Sequence, residues 1–250
     1  MRNHESSPFV WTDNPAARRN LWQMFRREFM LDFSPEAASL HITADTRYIL
    51  FVNGARLGSG PMKYFQEQIP YDTYDIAAYL REGKNVIGVL VHFWGVGTMQ
   101  HRFGEPGLWL EAVAENGERR LEMNGGEFLT APCDALDSRS PRICVQQAFT
   151  EHLDLSRWED FSAPGYRPDP ARWTPVVPTT RDTAVLRPRD IPPLTEEPIL
   201  PVRVSRLRLI SPPKVSFVVD TRSMMLEPDG YKNCNPACLQ GLVVTNIHME

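Results

Sequence analysis

Hydrophobic and polar residues alternate along much of the first half of the chain with a period of two, the spacing of strands that bury one face. Leu40, Ile42 and Ala44 alternate with His41 and Thr43, and Tyr48-Ile49-Leu50-Phe51-Val52 runs directly into Asn53-Gly54. Asn-Gly supplies the two positive-φ residues of a type I′ turn, whose twist matches its flanking strands, so a hairpin is predicted with Ala55-Arg56-Leu57-Gly58 returning. Val86-Ile87-Gly88-Val89-Leu90-Val91 is apolar on both faces and predicts a strand buried on both sides. Just before it, Asp75 is placed to cap a single helical turn over Ile76–Leu80, which Gly83 stops. Gly107–Glu115 predicts a further strand, with Asn116-Gly117 as a second hairpin turn and Glu118–Met123 returning.

Met24–Phe33 mixes aromatic and charged residues at near-alternate positions, which predicts an outer strand with one wet face. Trp11 and Trp22 are expected against the edge of that domain, Pro70 confines Tyr64–Tyr74 to a sheet edge, and Gly95–Pro106 reads as a glycine-rich loop. Twelve of the 22 prolines fall between Pro164 and Pro213, and proline cannot donate to a ladder, so regular sheet is largely excluded there. Tyr166, Trp173, Val176, Val177, Ile191 and Leu194 give that stretch anchors to bury, and an ordered connector is expected. Strand texture returns at Val202–Leu209, Val215–Val219 and Leu242–Thr245.

The pattern predicts an all-β chain built on an antiparallel β-sandwich, jelly-roll and galactose-binding-domain-like. The predicted order is a lead-in over residues 1–22, the sandwich over 23–155, a proline-rich connector over 156–201, and an incomplete second β domain over 202–250.

Charge narrows the function. With 27 basic and 31 acidic residues the net charge is −4, and no Lys/Arg block stands out as a phosphate-tracking stripe, so nucleic acid is not expected as a partner. The polar N-terminus has no apolar core of a secretory signal, and no apolar run is long enough to span a membrane; a cytoplasmic location is the expectation. Cys133, Cys144, Cys234 and Cys238 are too few and too unevenly spaced for a disulfide framework, and neither pair has zinc-site spacing, so no metal or other cofactor is expected.

Paired carboxylates are the side chains that general acid–base chemistry would need. Asp72 with Asp75 and Glu151 with Asp154 are better read as turn, cap or surface residues, and Asp45 as a bond to nearby backbone. A sugar's C–H face stacks on aromatic rings while its hydroxyls seek polar groups, which makes Trp94, at the mouth of the glycine-rich loop, with His101 and Arg102 inside it, the candidate carbohydrate-binding patch. The competing and favoured reading of Trp94 is a core or domain-interface tryptophan.

Several words of the sequence resemble the N-terminal β-sandwich of bacterial α-L-rhamnosidases, glycoside hydrolase family 78. They are Phe25-Arg26-Arg27-Glu28-Phe29, Ala44-Asp45-Thr46-Arg47 through Asn53-Gly54, Tyr71-Asp72-Thr73-Tyr74-Asp75-Ile76 with Leu80, and Gly83-Lys84-Asn85-Val86-Ile87-Gly88-Val89. Phe149–Asp154 followed by Trp158, Trp173-Thr174-Pro175-Val176, and Leu186–Leu194 resemble the linking segment of such enzymes. The resemblance covers roughly residues 21–202. It implies a multidomain inverting glycosidase whose acid and base are carboxylates of an (α/α)6 barrel C-terminal to these β domains. The chain shows no long 3.6-periodic helix pattern of such a barrel, so no catalytic residue is assigned. Two functions are weighed: the non-catalytic N-terminal portion of an α-L-rhamnosidase-like hydrolase, and a self-standing carbohydrate-binding or interaction module.

Overall fold

The computed structural model describes residues 7–203 except 14, 16–18, 100, 143, 145, 198 and 201. The second β unit expected over residues 202–250, with Cys234 and Cys238, lies almost wholly outside the described residues. Among the described residues, thirteen strands form two sheets: β1 Val10–Trp11, β2 Leu21–Leu31, β3 Ala37–Asp45, β4 Arg47–Val52, β5 Ala55–Gly60, β6 Ile69–Asp75, β7 Gly83–Phe93, β8 Gly107–Asn116, β9 Arg119–Asn124, β10 Leu129–Pro132, β11 Thr174–Pro175, β12 Val177–Pro178 and β13 Leu186–Pro188. The first sheet runs β12-β1-β8-β3-β6-β13 with β9 also on β8, and the second β11-β10-β2-β7-β4-β5. Every pairing is antiparallel except that of β13 with β6. No described helix is long and apolar enough to cross a membrane.

The facing sides of the sheets bury Phe25, Leu40, Ile42, Leu50, Ile87, Val89, Leu108 and Leu110 in one core, so the sandwich follows from the period-two pattern. Chain direction between layers changes at Asp45-Thr46, where β3 of one sheet passes into β4 of the other. The hairpin at Asn53-Gly54 has the expected turn, with φ of 50° and 85° and Val52 opposite Ala55. Asn53 does more than turn the chain: its side chain accepts from Val86 N at 2.8 Å and donates to Asn85 Oδ1 at 2.8 Å, fastening the hairpin to the start of β7. Asp75 accepts from Ala77 N at 3.0 Å and holds the single 3-10 turn over Ala77–Tyr79.

The second turn is shifted by one residue from expectation. Asn116 pairs with Arg119, so the central residues are Gly117 and Glu118, and only Gly117 has positive φ, as a glycine-first type II′ turn needs. Asn116 ends the strand and donates to Ser34 O at 2.7 Å.

Strand β2 is not the outer strand its mixed pattern predicts. It lies between β7 and β10, and Arg26, whose side chain is 1% exposed, donates to the carbonyls of Phe161 and Ala163 at 2.6 and 3.0 Å. The wet face is covered by residues far along the chain: Phe161 and Trp173 pack with Trp22, Met24 and Leu90 in a second apolar layer. Trp22 therefore sits in that layer and Trp11 in the main core, not at an edge.

The proline-rich stretch also supplies regular structure. Its three short strands β11, β12 and β13 form edges of the two sheets, each ending in a proline. Proline is compatible with such positions because an edge strand has one unpaired side, and it blunts the edge against further pairing. Val185 and Leu186 close a third apolar layer with Phe9, Ile69 and Trp109 on the outer face of the first sheet. The β6 strand carrying Pro70 is thus next to the edge, with β13 outside it. Of the expected anchors, Trp173 and Val176 are buried, whereas Ile191 and Leu194 are exposed. Met1–Pro193 forms one compact unit, and residues from Leu194 belong to another.

Candidate functional site

The residues singled out for sugar contact divide between interior and surface. Trp94 follows β7 and is 5% exposed; its Nε1 donates to His92 Nδ1 at 3.2 Å, and the Arg47 guanidinium covers its ring at 4.8 Å. His101, also buried, meets the Trp94 ring edge-on at 5.5 Å. Arg102 is exposed, 5.9 Å above the ring of Phe65. The fold thus brings Trp94 and His101 together as packing under the loop and leaves Arg102 at the surface.

Beneath that loop stands a carboxylate hub around Asp45, which is wholly buried. Its Oδ1 lies 3.0 Å from Thr46 Oγ1, which donates to it, and 3.3 Å from His101 Nε2. Its Oδ2 accepts from Gln66 Nε2 at 3.1 Å and Tyr64 OH at 3.3 Å, and lies 3.4 Å from Arg181 Nη2. The partners of Asp45 are therefore the hydroxyl of its neighbour Thr46 and side chains of three distant segments, not nearby backbone. A charge taken out of water needs that many partners. Gly104 closes over the hub with no room to spare, since a Cβ there would stand 2.4 Å from Asp45 Oδ2 and 2.2 Å from Gln66 Nε2. Burial, then the Asp45 charge, raises the Tyr64 phenol far above its ordinary range, so it remains a donor.

A second hub, on β6, forms around Asp72. Arg189 Nη1 reaches Asp72 Oδ1 at 2.6 Å, and the Tyr48 hydroxyl donates to Oδ2 in a short bond while meeting the Tyr74 hydroxyl at 3.1 Å. Burial, with Tyr74 and Asp72 adding to it, holds the Tyr48 phenol protonated. Asp72 is thus a buried ion-pair residue, unlike Asp75 and Asp154, which do accept from backbone amides of 3-10 turns as their positions predict. Arg181 and Arg189 both come from the proline-rich segment, so the two hubs clamp that segment to the sandwich. The sequence signal was present in the words around Asp45, Asp72 and Arg189, but nothing local shows that they meet.

A third network adjoins the Asp45 hub through Trp94, whose backbone N donates to Thr46 Oγ1 at 3.1 Å. His92 accepts from Trp94 at Nδ1, and its Nε2 lies 2.8 Å from Asn20 Oδ1, an arrangement that fixes the neutral tautomer with its proton on Nε2. Burial, followed by the charge of Arg47, lowers its pKa to about 3. Asn20, at φ 50°, donates onward to Ser138 O at 3.1 Å and Ser140 Oγ at 3.0 Å. Among the described residues no group of three or more His, Cys, Asp or Glu side chains could hold a metal ion.

Comparison with known proteins places this architecture. A sequence profile described as the alpha-L-rhamnosidase N-terminal domain matches residues 34–197. The family 78 rhamnosidase of Bacillus sp. GL1 is similar at 37% identity and a TM-score of 0.69, over 82% of this chain and 22% of that one. The α-L-rhamnosidases of Aspergillus terreus (23% identity, TM-score 0.59, 76% of this chain and 23% of that) and Dictyoglumus thermophilum (17%, 0.58, 77% and 23%) share the fold. No curated protein sequence matches. The chain spans less than a quarter of the length of these solved relatives. On the profile match and the Bacillus similarity, the chain belongs to the alpha-L-rhamnosidase N-terminal domain family.

Proposed function

We propose that this chain is the N-terminal, non-catalytic portion of an α-L-rhamnosidase-type glycoside hydrolase, acting on a rhamnoside-containing glycoside. Its work is to pack on, and frame substrate access to, a catalytic helical barrel. The observation that carries this reading is the pair of clamps. Asp45 and Asp72 are engaged by arginines and phenols of the chain itself and hold the segment that leads out of the sandwich. Carboxylates so used serve position and not proton transfer. The two described cysteines are free thiols, as suits the reducing, cytoplasmic setting of this reading, and burial raises Cys133 to about 11, which keeps that thiol protonated.

The purified chain should not turn over aryl α-L-rhamnosides. Turnover that survives repurification and is abolished by one Asp or Glu substitution overturns the reading. A second reading, a self-standing carbohydrate-binding or interaction module, is favoured by the exposure of Phe65 and Phe103 beside Arg102. An open reading frame continuing into helical repeats favours the first, and a stop codon after Glu250 the second.

A further inference from the structure

Glycine follows asparagine at three places, Asn53-Gly54, Asn116-Gly117 and Asn124-Gly125. In such a pair the glycine nitrogen has no Cβ beside it to block its approach to the preceding side-chain amide. Attack of that nitrogen on the asparagine Cγ forms an N–Cγ bond, gives the glycine N–H proton to water and expels the amide nitrogen as ammonia, which closes a succinimide ring. Water then opens either ring carbonyl, to give aspartate or, with one more atom in the main chain, isoaspartate. Ring closure needs the nitrogen within about 3–3.5 Å of Cγ and aligned with its carbonyl, which the asparagine reaches only by turning its side chain and its own ψ. The fold therefore decides which of the three pairs reacts.

Two of the pairs are held away from that geometry. Asn53 accepts from Val86 N at 2.8 Å and donates to Tyr79 O at 2.7 Å and Asn85 Oδ1 at 2.8 Å, so turning its amide breaks all of these bonds at once. Its turn also ends β4, which lies inside the second sheet between β7 and β5. Asn124 Oδ1 accepts from Gly126 N at 2.9 Å and caps the 3-10 turn Gly125–Glu127, while its carbonyl accepts from Arg27 Nη1 at 3.2 Å. Gly125 itself is buried, with Val10 Cγ2 3.4 Å from where a Cβ would stand, which leaves little room for rotation or for water.

Asn116-Gly117 has neither restraint. Among the described residues the Asn116 side chain makes one hydrogen bond, its donation to Ser34 O, and Gly117 is exposed with nothing within 4 Å of a Cβ position. Asn116 opposite Arg119 is the last rung of the β8–β9 ladder, and β9 pairs with β8 and with no other described strand. The terminal rung of an edge hairpin opens at little cost. We propose that Asn116 is a spontaneous modification site of the folded chain, at which Gly117 N closes a succinimide that water opens to aspartate and isoaspartate. The product alters the hairpin: a carboxylate replaces the amide that donates to Ser34 O, two acceptors then face each other, and the β8–β9 tip is released from the corner between β2 and β3. In isoaspartate the added main-chain atom also displaces the register of the closing rung.

The test is peptide mapping by mass spectrometry of the 250-residue chain aged in mildly alkaline buffer, folded and, in parallel, unfolded in urea. In the folded chain Asn116 should convert at least about tenfold faster than Asn53 and Asn124, since displacing reacting atoms by an ångström costs that much or more. In urea all three pairs should convert, and the spread of their rates should collapse. Conversion at Asn53 or Asn124 as fast as at Asn116 in the folded chain, an unconverted Asn116 in the folded chain while the unfolded chain converts, or a spread as wide in urea overturns the proposal. Asn116→Asp carries the unrearranged product from the start. Its amides at Arg119–Leu121 should exchange with solvent about fivefold faster than in the wild type, the worth of one net hydrogen bond. Exchange as slow as in the wild type overturns the release of the tip.

Discussion

Arg189 Nη1 lies 2.6 Å from Asp72 Oδ1 across 117 residues of chain, with only 12% and 6% of the two side chains exposed. It joins the two sequence regions that carry the family resemblance. Removing one member leaves an uncompensated buried charge, a loss of about 3–5 kcal/mol for such pairs. Arg189→Ala and Asp72→Ala should each fall near that range, and the double variant should cost clearly less than their sum. Additive losses in denaturant unfolding would show that the pair contributes no coupling.

Gly104 should tolerate no side chain. Gly104→Ala drives a methyl into Asp45 and Gln66, whereas the nearest atoms to a Cβ at Gly97 stand 3.8 Å away, an ordinary contact. Overpacking costs about 1–3 kcal/mol, against about 0.5 kcal/mol or less at an open surface position. Denaturant midpoints of the two variants should differ accordingly, and equal midpoints contradict a packed hub.

At the first hairpin, Gly54 has φ +85°. Gly54→Val places a β-branched residue in the left-handed region at a cost of about 1–2 kcal/mol or more, while Ala55→Val lies just outside the turn and should be near neutral. If the first variant unfolds no earlier than the second, the turn does not set the register of β4.

His92 links stability to acid. Its folded pKa, about 3, lies below the ordinary value of 6.5, so the folded state takes up its proton later than the unfolded state. The contribution is fully present above about pH 6.5 and is lost as pH falls towards 3, by an amount on the order of a few kcal/mol. His92→Gln cannot titrate. The stability difference between wild type and variant should shrink steadily from pH 7 to pH 4 in urea melts; a constant difference rules the linkage out.

The proline-rich segment should prove necessary for folding. A chain ending at Pro193 keeps β11, β12, β13 and both arginine clamps and should unfold cooperatively. One ending at Trp158 lacks Phe161 and Trp173, exposes the layer they cover and leaves Arg26 without its carbonyl partners. Circular dichroism melts of the two fragments decide this: a cooperative transition in the shorter one contradicts the integral role of the strap.

What was legible in the sequence was local. The positive-φ turn at Asn53-Gly54, the alternation of Leu40, Ile42 and Ala44, and the unbroken apolar run from Val86 follow from backbone sterics and periodicity, which neighbouring residues set. Those features fixed an antiparallel sandwich and the place of its central strands. The one-residue slip at Gly117 shows the limit even there, because Asn-Gly and Gly-x turns share a glycine and differ only in which pair of residues closes the ladder.

Which faces stay wet was decided only by the tertiary structure. Arg26 reads as a surface charge until carbonyls of residues 161, 163 and 166 arrive to solvate it, and of the two readings of Trp94, a sugar-stacking ring or the favoured core ring, the closure of Arg47 and His101 on it leaves the second. Asp45 and Asp72 read as turn residues until Arg181 and Arg189 reach them from more than a hundred residues away. The hydrophobic pattern reports how a strand alternates, but the burial of a polar side chain depends on distant partners that repay its lost hydration. In this chain those partners lie in the proline-rich segment, whose own sequence shows where a ladder is interrupted and not which sheet edge it completes.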